Sequence, residues 1–490
     1  MKPERRDFLK LTAGAVAGGL AGTGSTEAAS ERIDLTAVSA LQREVKGSVV
    51  ARGSPVYEAW RQSMIWNYRK FARYPDLIVQ AENEADVVAA INFARRRGLQ
   101  ITSRGGGHSW SGCFLRDGGV LLDLSRLQAL EIDTEARVAH VQPGVLGRIL
   151  NWRLGEVGLA FPTAHCGMVP VSGFLLGGGL GLNSVAWGGM SVFNVQAIDL
   201  VNANGERLHA SATENADYFW AARGGGPGLF FTVTRFHLRC YPLPRWITTD
   251  TYILPFGQLV DVSVAMQELG PRIDPRLELL TVVVPAPAQL RKKSGDRVAV
   301  LAATAFADNS SEAAAMLAPV ARHAVLQRPL SKIDKRPTPF EVLYQDNEGP
   351  FPQRRARADN IYTDRVGEAT ELLSRHLPTA PSPGNTPVIL WRGTAEFPQA
   401  AYSARGSFYF ATYAQWDSAT DDRSNEAWLK ALYADMEPLA TGHYINEFDR
   451  EARADRTASC FAPANWLHLQ ELRRQYDPQH VFQTFLGNPT

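Results

Sequence analysis

Three consecutive glycines inside Arg104-Gly105-Gly106-Gly107-His108-Ser109-Trp110-Ser111-Gly112 constrain this chain more than any other feature. Without Cβ atoms, backbone N–H groups can close on a bulky anion and point at it. The run follows an apolar, strand-like stretch, Leu99-Gln100-Ile101-Thr102, so it lies where a strand gives way to a loop. A phosphate or diphosphate suits such a loop, with the His108 imidazole beside whatever is held. A glycine-rich turn with a hydrogen-bonded histidine is the alternative reading of this stretch taken alone. The Lys-Ser/Thr ending of a Walker loop is absent, and no long helix opens on a G-x-G-x-x-G. Two more glycine-rich stretches follow, Gly177-Gly178-Gly179-Leu180-Gly181 and Arg223-Gly224-Gly225-Gly226-Pro227-Gly228. Three such backbone approaches call for a large, extended ligand.

At 490 residues the chain needs two or three lobes. A formal net charge of +1 argues against a general nucleic-acid or membrane-surface binder. The four cysteines, Cys113, Cys166, Cys240 and Cys460, show no C-x-x-C spacing, so neither a zinc site nor a redox dithiol is expected. Near the start, Arg5-Arg6-Asp7-Phe8-Leu9-Lys10 reads as a twin-arginine export signal. A Gly/Ala-rich stretch and a small-residue cleavage region near Thr26-Glu27-Ala28-Ala29 follow it. The stretch is too short and glycine-rich to span a membrane. The expectation is a periplasmic or secreted protein with no membrane insertion after signal removal.

Between Ser30 and Arg73 the pattern reads as a helical lead-in. Tyr74 to Gln80 is strand-like. Asn83 offers an N-cap for a helix whose apolar face includes Val87, Val88, Ile91, Phe93 and Ala94, closed by Arg95-Arg96-Arg97-Gly98. Strands at Val120–Leu124, Val138–Gly144 and Phe230–Leu238 and a helix at Leu146–Gly155 complete this half. Alternating runs such as Leu279–Val284 and Val298–Ala303 predict an antiparallel sheet. A helix is expected over Ser311–Ala324, and loops at the proline-rich Arg336–Phe340 and Leu377–Pro387.

The ordered set is specific. A Pro-Asp strand and helix lead to Arg104-Gly105-Gly106-Gly107-His108-Ser109, then Gln142-Pro143-Gly144 and Cys166 ahead of Gly177–Gly181. Trp187-Gly188, Val201-Asn202-Ala203-Asn204-Gly205 and Asp217-Tyr218-Phe219-Trp220-Ala221-Ala222-Arg223-Gly224-Gly225-Gly226 follow. It resembles the PCMH-type FAD-binding domain of the vanillyl-alcohol-oxidase superfamily, and within it the berberine-bridge-enzyme-like oxidoreductases. The resemblance covers Tyr74 to Leu238 and extends into the C-terminal third. It implies an α+β fold of two lobes: a signal peptide at 1–29, the FAD domain at 30–245, a substrate domain with a helix-covered antiparallel sheet at 246–435, and a C-terminal segment, 436–490, returning to the FAD domain.

The resemblance also implies roles. FAD would be tied twice, by His108 to the 8α carbon and by Cys166 to C6 of the ring. Its diphosphate would rest on the backbone of Arg104 to Ser109, including Gly105, Gly106 and Gly107, and near Gly177, Gly178, Gly179 and Gly181. Gly173 would approach the ring, and the segment around Val233 the adenosine. Val169 leaves room for dioxygen and favours an oxidase releasing hydrogen peroxide. Glu447 stands where relatives often carry the tyrosine base, with Tyr444 and Asn446 as secondary candidates. Read as a strand, this segment puts Tyr444 and Asn446 on one face and Glu447 on the other. Tyr409, Tyr413, Gln415 and Trp391 are expected to contact substrate, an alcohol, sugar or secondary metabolite. A dehydrogenase serving a quinone or cytochrome and a non-catalytic flavin carrier are the alternatives.

Overall fold

The computed structural model describes residues 34–394 and 396–485. The twin-arginine stretch lies outside these residues. The described chain builds three principal sheets. The first contains β1 (Ser48–Ala51), β2 (Leu77–Gln80), β3 (Ile101–Arg104) and β4 (Val120–Asp123) in the order β1-β2-β4-β3. β2 and β3 run parallel to β4, and β1 is antiparallel to β2. Leu77, Ile78, Val79, Leu121 and Leu122 are fully buried, the unbroken apolar run that a sheet covered on both faces demands.

The helix Glu84–Arg97 starts where Asn83 accepts the Asp86 N–H. It stops at Gly98, left-handed with φ 59°, after three arginines that complement the helix dipole. The expected helical lead-in is instead two short helices, Leu35–Glu44 and Tyr57–Ser63, flanking β1. Val49 and Val50, β-branched and paired with β2, take that stretch out of the helix.

The next strands are β5 (Leu130–Asp133), β6 (Val138–Val141), the short β7 (Leu159–Ala160), β8 (Val195–Asn202), β9 (Arg207–Ser211), β10 (Phe231–Arg239) and the short β11 (Tyr241–Pro242). β7 pairs with β11, and the others form an antiparallel sheet in the order β5-β6-β10-β8-β9. Its inner face contributes Ala139, Val141, Ile198, Leu200, Phe236 and Leu238 to the largest apolar cluster.

The third sheet is antiparallel throughout: β12 (Trp246–Pro255), β13 (Leu277–Pro285), β14 (Arg297–Ala307), β15 (Ser331–Pro337), β16 (Arg355–Thr363), β17 (Thr386–Trp391) and β18 (Phe408–Trp416), in the order β15-β12-β14-β13-β17-β18-β16. Leu279 stands opposite Ala303 and Val282 opposite Val300. One face packs Leu301, Ala303, Ile389, Phe408 and Phe410 under helices that include Leu259–Leu269 and Asp422–Met436. The other face carries Val388, Leu390, Tyr409 and Tyr413 into the cluster that also holds Val141, Phe174 and Leu175. The two lobes thus share one core, and the site lies at that junction. Arg336 and Pro337, expected in a loop, end β15; as an edge strand it tolerates proline.

The chain's end returns to the first lobe. Ile101 N–H donates to the Val481 carbonyl at 2.7 Å, and Gln483 N–H donates to the Ile101 carbonyl at 3.0 Å. The buried Asp477 carboxylate accepts the Val481 and Phe482 N–H groups, each at 2.8 Å. Asp477→Ala strands both donors, and a loss of roughly 2–4 kcal/mol is expected in urea unfolding followed by tryptophan fluorescence. An unchanged midpoint would show that this clasp does not hold the tail.

Candidate active site

A cavity of about 580 Å3 opens between the Gly105–Ser109 loop, the 164–174 segment, the inner face of the third sheet and the turn at 444–450. Arg104 builds its floor. This buried guanidinium pairs with Asp123 Oδ1 at 2.7 Å and donates to the Gly106 carbonyl at 2.9 Å and the Met64 carbonyl at 3.1 Å. The glycines are needed for protein contacts. A Cβ on Gly106 would sit 2.1 Å from Pro170 Cγ; one on Gly107, whose φ is +73°, would sit 2.0 Å from the Met64 carbonyl. Gly173 differs, because a Cβ there meets nothing within 4 Å and projects into open space.

His108 stacks on Trp66, with ring centroids 4.6 Å apart. Its Nε2 lies 3.7 Å from Cys166 Sγ, so the two nucleophiles converge on one patch of wall. Burial lowers the His108 pKa to about 4, leaving a neutral ring at pH 7. Burial pushes the Cys166 thiol up to about 12. That thiol donates to Glu348 Oε1 at 3.5 Å; Glu348 also accepts the Gly167 N–H at 3.0 Å and pairs with Arg148 at 3.2 Å.

A smaller cavity of about 160 Å3 shares Ser103, Gly105, Ser172 and Gly173 with the first and runs to Thr232 and Val233 on β10. Ser172 Oγ, Arg116 Nε, and Nε and Nη1 of Arg450 are buried without a hydrogen-bond partner, on residues lining these two cavities. Unsatisfied buried donors carry a large desolvation cost, which an extended anion across the junction offsets. Of the Gly177–Gly181 turn only Leu180 lines the cavity, and its glycines, expected beside the diphosphate, pack against protein instead. Gly177 abuts Asn446, Gly178 abuts Tyr402, Gly179 abuts Phe174 and Ser191, and Gly181 abuts the Pro162 carbonyl. These glycines let one segment pass another.

On the opposite wall Glu447 is half-buried, and Tyr409 and Tyr413 both donate their hydroxyls to its Oε2. Burial raises the Glu447 pKa, opposed by hydrogen bonds from Tyr409, Tyr413 and Trp110. The segment expected as a strand is a turn, closed by Glu447 N–H donating to the Tyr444 carbonyl at 3.1 Å. Tyr444, Asn446 and Glu447 therefore all line the cavity. Asn446 donates to the Gly173 carbonyl at 3.1 Å and to Tyr444 Oη at 3.0 Å, fixing the turn against the 171–176 helix. Val169 lines the cavity too.

Two expected substrate contacts lie elsewhere. Trp391 stands opposite Phe408 and so points to the helix-covered face, where it packs on Gly270. Gln415 is buried and spends its amide on the Pro350 and Gly384 carbonyls, each at 3.1 Å.

Residues 75–211 match the FAD binding domain family. The FAD-linked oxidoreductase ptmO of Penicillium ochrochloron is 28% identical over 450 residues, spanning 90% of this chain and 96% of that one. The crystal structure of 6-hydroxy-D-nicotine oxidase from Arthrobacter nicotinovorans superposes with a TM-score of 0.77 at 22% identity, covering 90% of this chain and 98% of that one. Berberine bridge enzyme from Eschscholzia californica gives 0.76 at 18% identity, covering 93% and 100%. The chain is an FAD-linked oxidoreductase with the fold of berberine bridge enzyme.

FAD fits the cavities of this flavoprotein: the orphaned Ser172, Arg116 and Arg450 donors suit its diphosphate, and Gly173 leaves open space beside them. Sequence reasoning missed several wall residues. Trp66, Arg116, Glu348 and Arg450 carry no local motif. His165, also on this wall, pairs its Nε2 with Glu278 at 3.0 Å. Burial works against the charge on His165, and Glu278 more than offsets it, raising the pKa. The Arg104–Asp123 pair makes the clearest prediction here. Asp123→Asn leaves a buried charge without its partner and is expected to cost about 3–5 kcal/mol in chemical denaturation. The flavin-to-protein absorbance ratio of the purified variant falls with it; full flavin content would refute the floor role.

Proposed function

We propose that this flavoprotein is an exported oxidase that carries FAD bicovalently through His108 and Cys166 and oxidises an apolar small molecule at a single alcohol, phenol or amine group. The observation that carries this reading is Glu447 held by Tyr409 and Tyr413 across the cavity from His108 and Cys166. FAD, when bound, would supply a two-electron acceptor for hydride from a substrate C–H bond, with dioxygen as the reoxidant giving hydrogen peroxide.

The chain's own residues do the rest. Glu447, with its raised pKa, takes the substrate O–H or N–H proton. Tyr409 and Tyr413 aim its carboxylate and stabilise its charge. Asn446 and Tyr444 fix the turn that presents it. His165, paired with Glu278, lines the same cavity, and its positive charge when protonated favours the Glu447 carboxylate. Leu280, Val282, Val300, Ala302, Val388 and Leu390 form an aliphatic wall. This stretch supports a substrate with an apolar body, while Thr249, Thr251, Thr304 and Asn347 on the same lining leave hydrogen-bonding partners for its polar groups. A relative named for 6-hydroxynicotine supports the same class. Val169 on the cavity wall supports access for dioxygen, and Arg5-Arg6-Asp7-Phe8-Leu9-Lys10 supports twin-arginine export.

For attachment, Glu348 is placed to accept the Cys166 thiol proton, and His108 is already neutral.

Two experiments test the reading. Peroxide release is expected from apolar alcohols, phenols or amines and not from simple sugars; the opposite selectivity overturns the substrate class. With any active substrate, Glu447→Gln slows flavin reduction in stopped flow by about 10²–10⁴-fold. Because the Glu447 pKa is raised, the wild-type rate climbs with pH through a limb above the ordinary carboxylate range, and that limb disappears in the variant. An unchanged rate removes Glu447 as base.

A further inference from the structure

The solvent face of the second sheet carries a row of ligand-type side chains unrelated to the flavin site. Following the strand order, the row is Glu131 on β5, His140 on β6, His237 on β10, Asp199 on β8 and His209 on β9. Glu131 is in register with His140, His140 with His237, and Asp199 with His209. His237 is in register with Ala197, which places its ring diagonal to Asp199 on the same face. His209 Nδ1 lies 2.7 Å from Asp199 Oδ1, and His237 Nε2 lies 3.2 Å from Asp199 Oδ2. Ligand atoms of all three residues fall within 4.8 Å of one another.

Two details distinguish this row from an ordinary surface network. His237 Nε2 is buried and faces Asp199 Oδ2 at 3.2 Å. The other nitrogen of that ring, Nδ1, lies 2.7 Å from His140 Nδ1. When His237 Nδ1–H donates to His140, Nε2 keeps its lone pair toward Asp199. A metal-bound histidine is typically oriented in this way through its second nitrogen. Two ligands on a tetrahedral ion with bonds of about 2.0–2.1 Å stand roughly 3.3 Å apart, close to the His237–Asp199 spacing. His209 is 44% exposed, so ions reach the row from solvent. Arg235 stands opposite Asp199 on β10, yet imidazoles and not the guanidinium hold the carboxylate.

We propose that Asp199, His209 and His237 form a binding site for a divalent transition-metal ion of the zinc class, with His140 orienting His237. Imidazole and carboxylate ligands suit such ions. The ion ties β8, β9 and β10 together, on the strand that reaches the smaller cavity at Thr232 and Val233. Water completes its coordination. Cysteine spacing could not reveal this site, because its ligands come from separate strands and include no thiol.

The test uses tag-free, flavin-loaded protein stripped with a chelator and titrated with Zn2+ against a chromophoric competitor. One ion per chain is expected. Affinity falls at least tenfold in His209→Ala, His237→Ala and Asp199→Asn, roughly the scale of a lost ligand or orienting partner. His140→Gln weakens binding less. On wild type, Co2+ gives the visible absorption of a tetrahedral nitrogen–oxygen site. Zn2+ raises the melting temperature of wild type but not of the His209→Ala/His237→Ala double variant. Absence of saturable binding in wild type, or undiminished affinity in the double variant, overturns the proposal.

Discussion

The buried ion pair between Arg104 and Asp123 holds the first lobe's working loop in place. The two residues are in register at the ends of the parallel strands β3 and β4. Both charges are buried, so each depends on the other and on the carbonyls around them. Those carbonyls belong to Met64, Gly105 and Gly106. The pair thereby turns a flexible glycine run into a fixed ledge, and His108 stands at its end against Trp66. Pro170 closes onto Gly106 and brings the Cys166 segment to the same ledge.

The second requirement is that one apolar core serves both lobes. The inner face of the third sheet packs with residues of the second sheet and the 171–176 helix. This fixes Tyr409 and Tyr413, four residues apart on β18, beneath the turn that carries Glu447. Charged and polar groups then divide by position. Arginines without full partners gather where the two cavities join, the neutral nucleophiles His108 and Cys166 share a wall, and a tyrosine-clamped carboxylate faces them.

Much of this was legible in the sequence where a feature is local. Asn83 and Gly98 mark the ends of their helix, and alternation marks β13 and β14. Arg104 to Ser109 announces its loop through glycines alone. The failures share a cause. The Gly177–Gly181 turn has the composition of an anion cradle, but its glycines admit Asn446, Tyr402 and Phe174, which no local pattern reveals. Trp391 is aromatic and adjacent, yet its register with Phe408 sends it to the helix-covered face. The turn at Tyr444 to Glu447 was read with strand periodicity, which separated three residues that the fold brings together. Arg116, Glu348 and Arg450 matter only through distant partners.

The central claim is that His108 and Cys166 anchor a flavin facing Glu447, and intact mass of acid-denatured protein tests it most directly. The account predicts a yellow pellet whose chain is heavier by one FAD. His108→Ala and Cys166→Ala singly retain that mass, and the double variant loses it. An unmodified wild-type chain mass with all pigment in the supernatant would contradict the account.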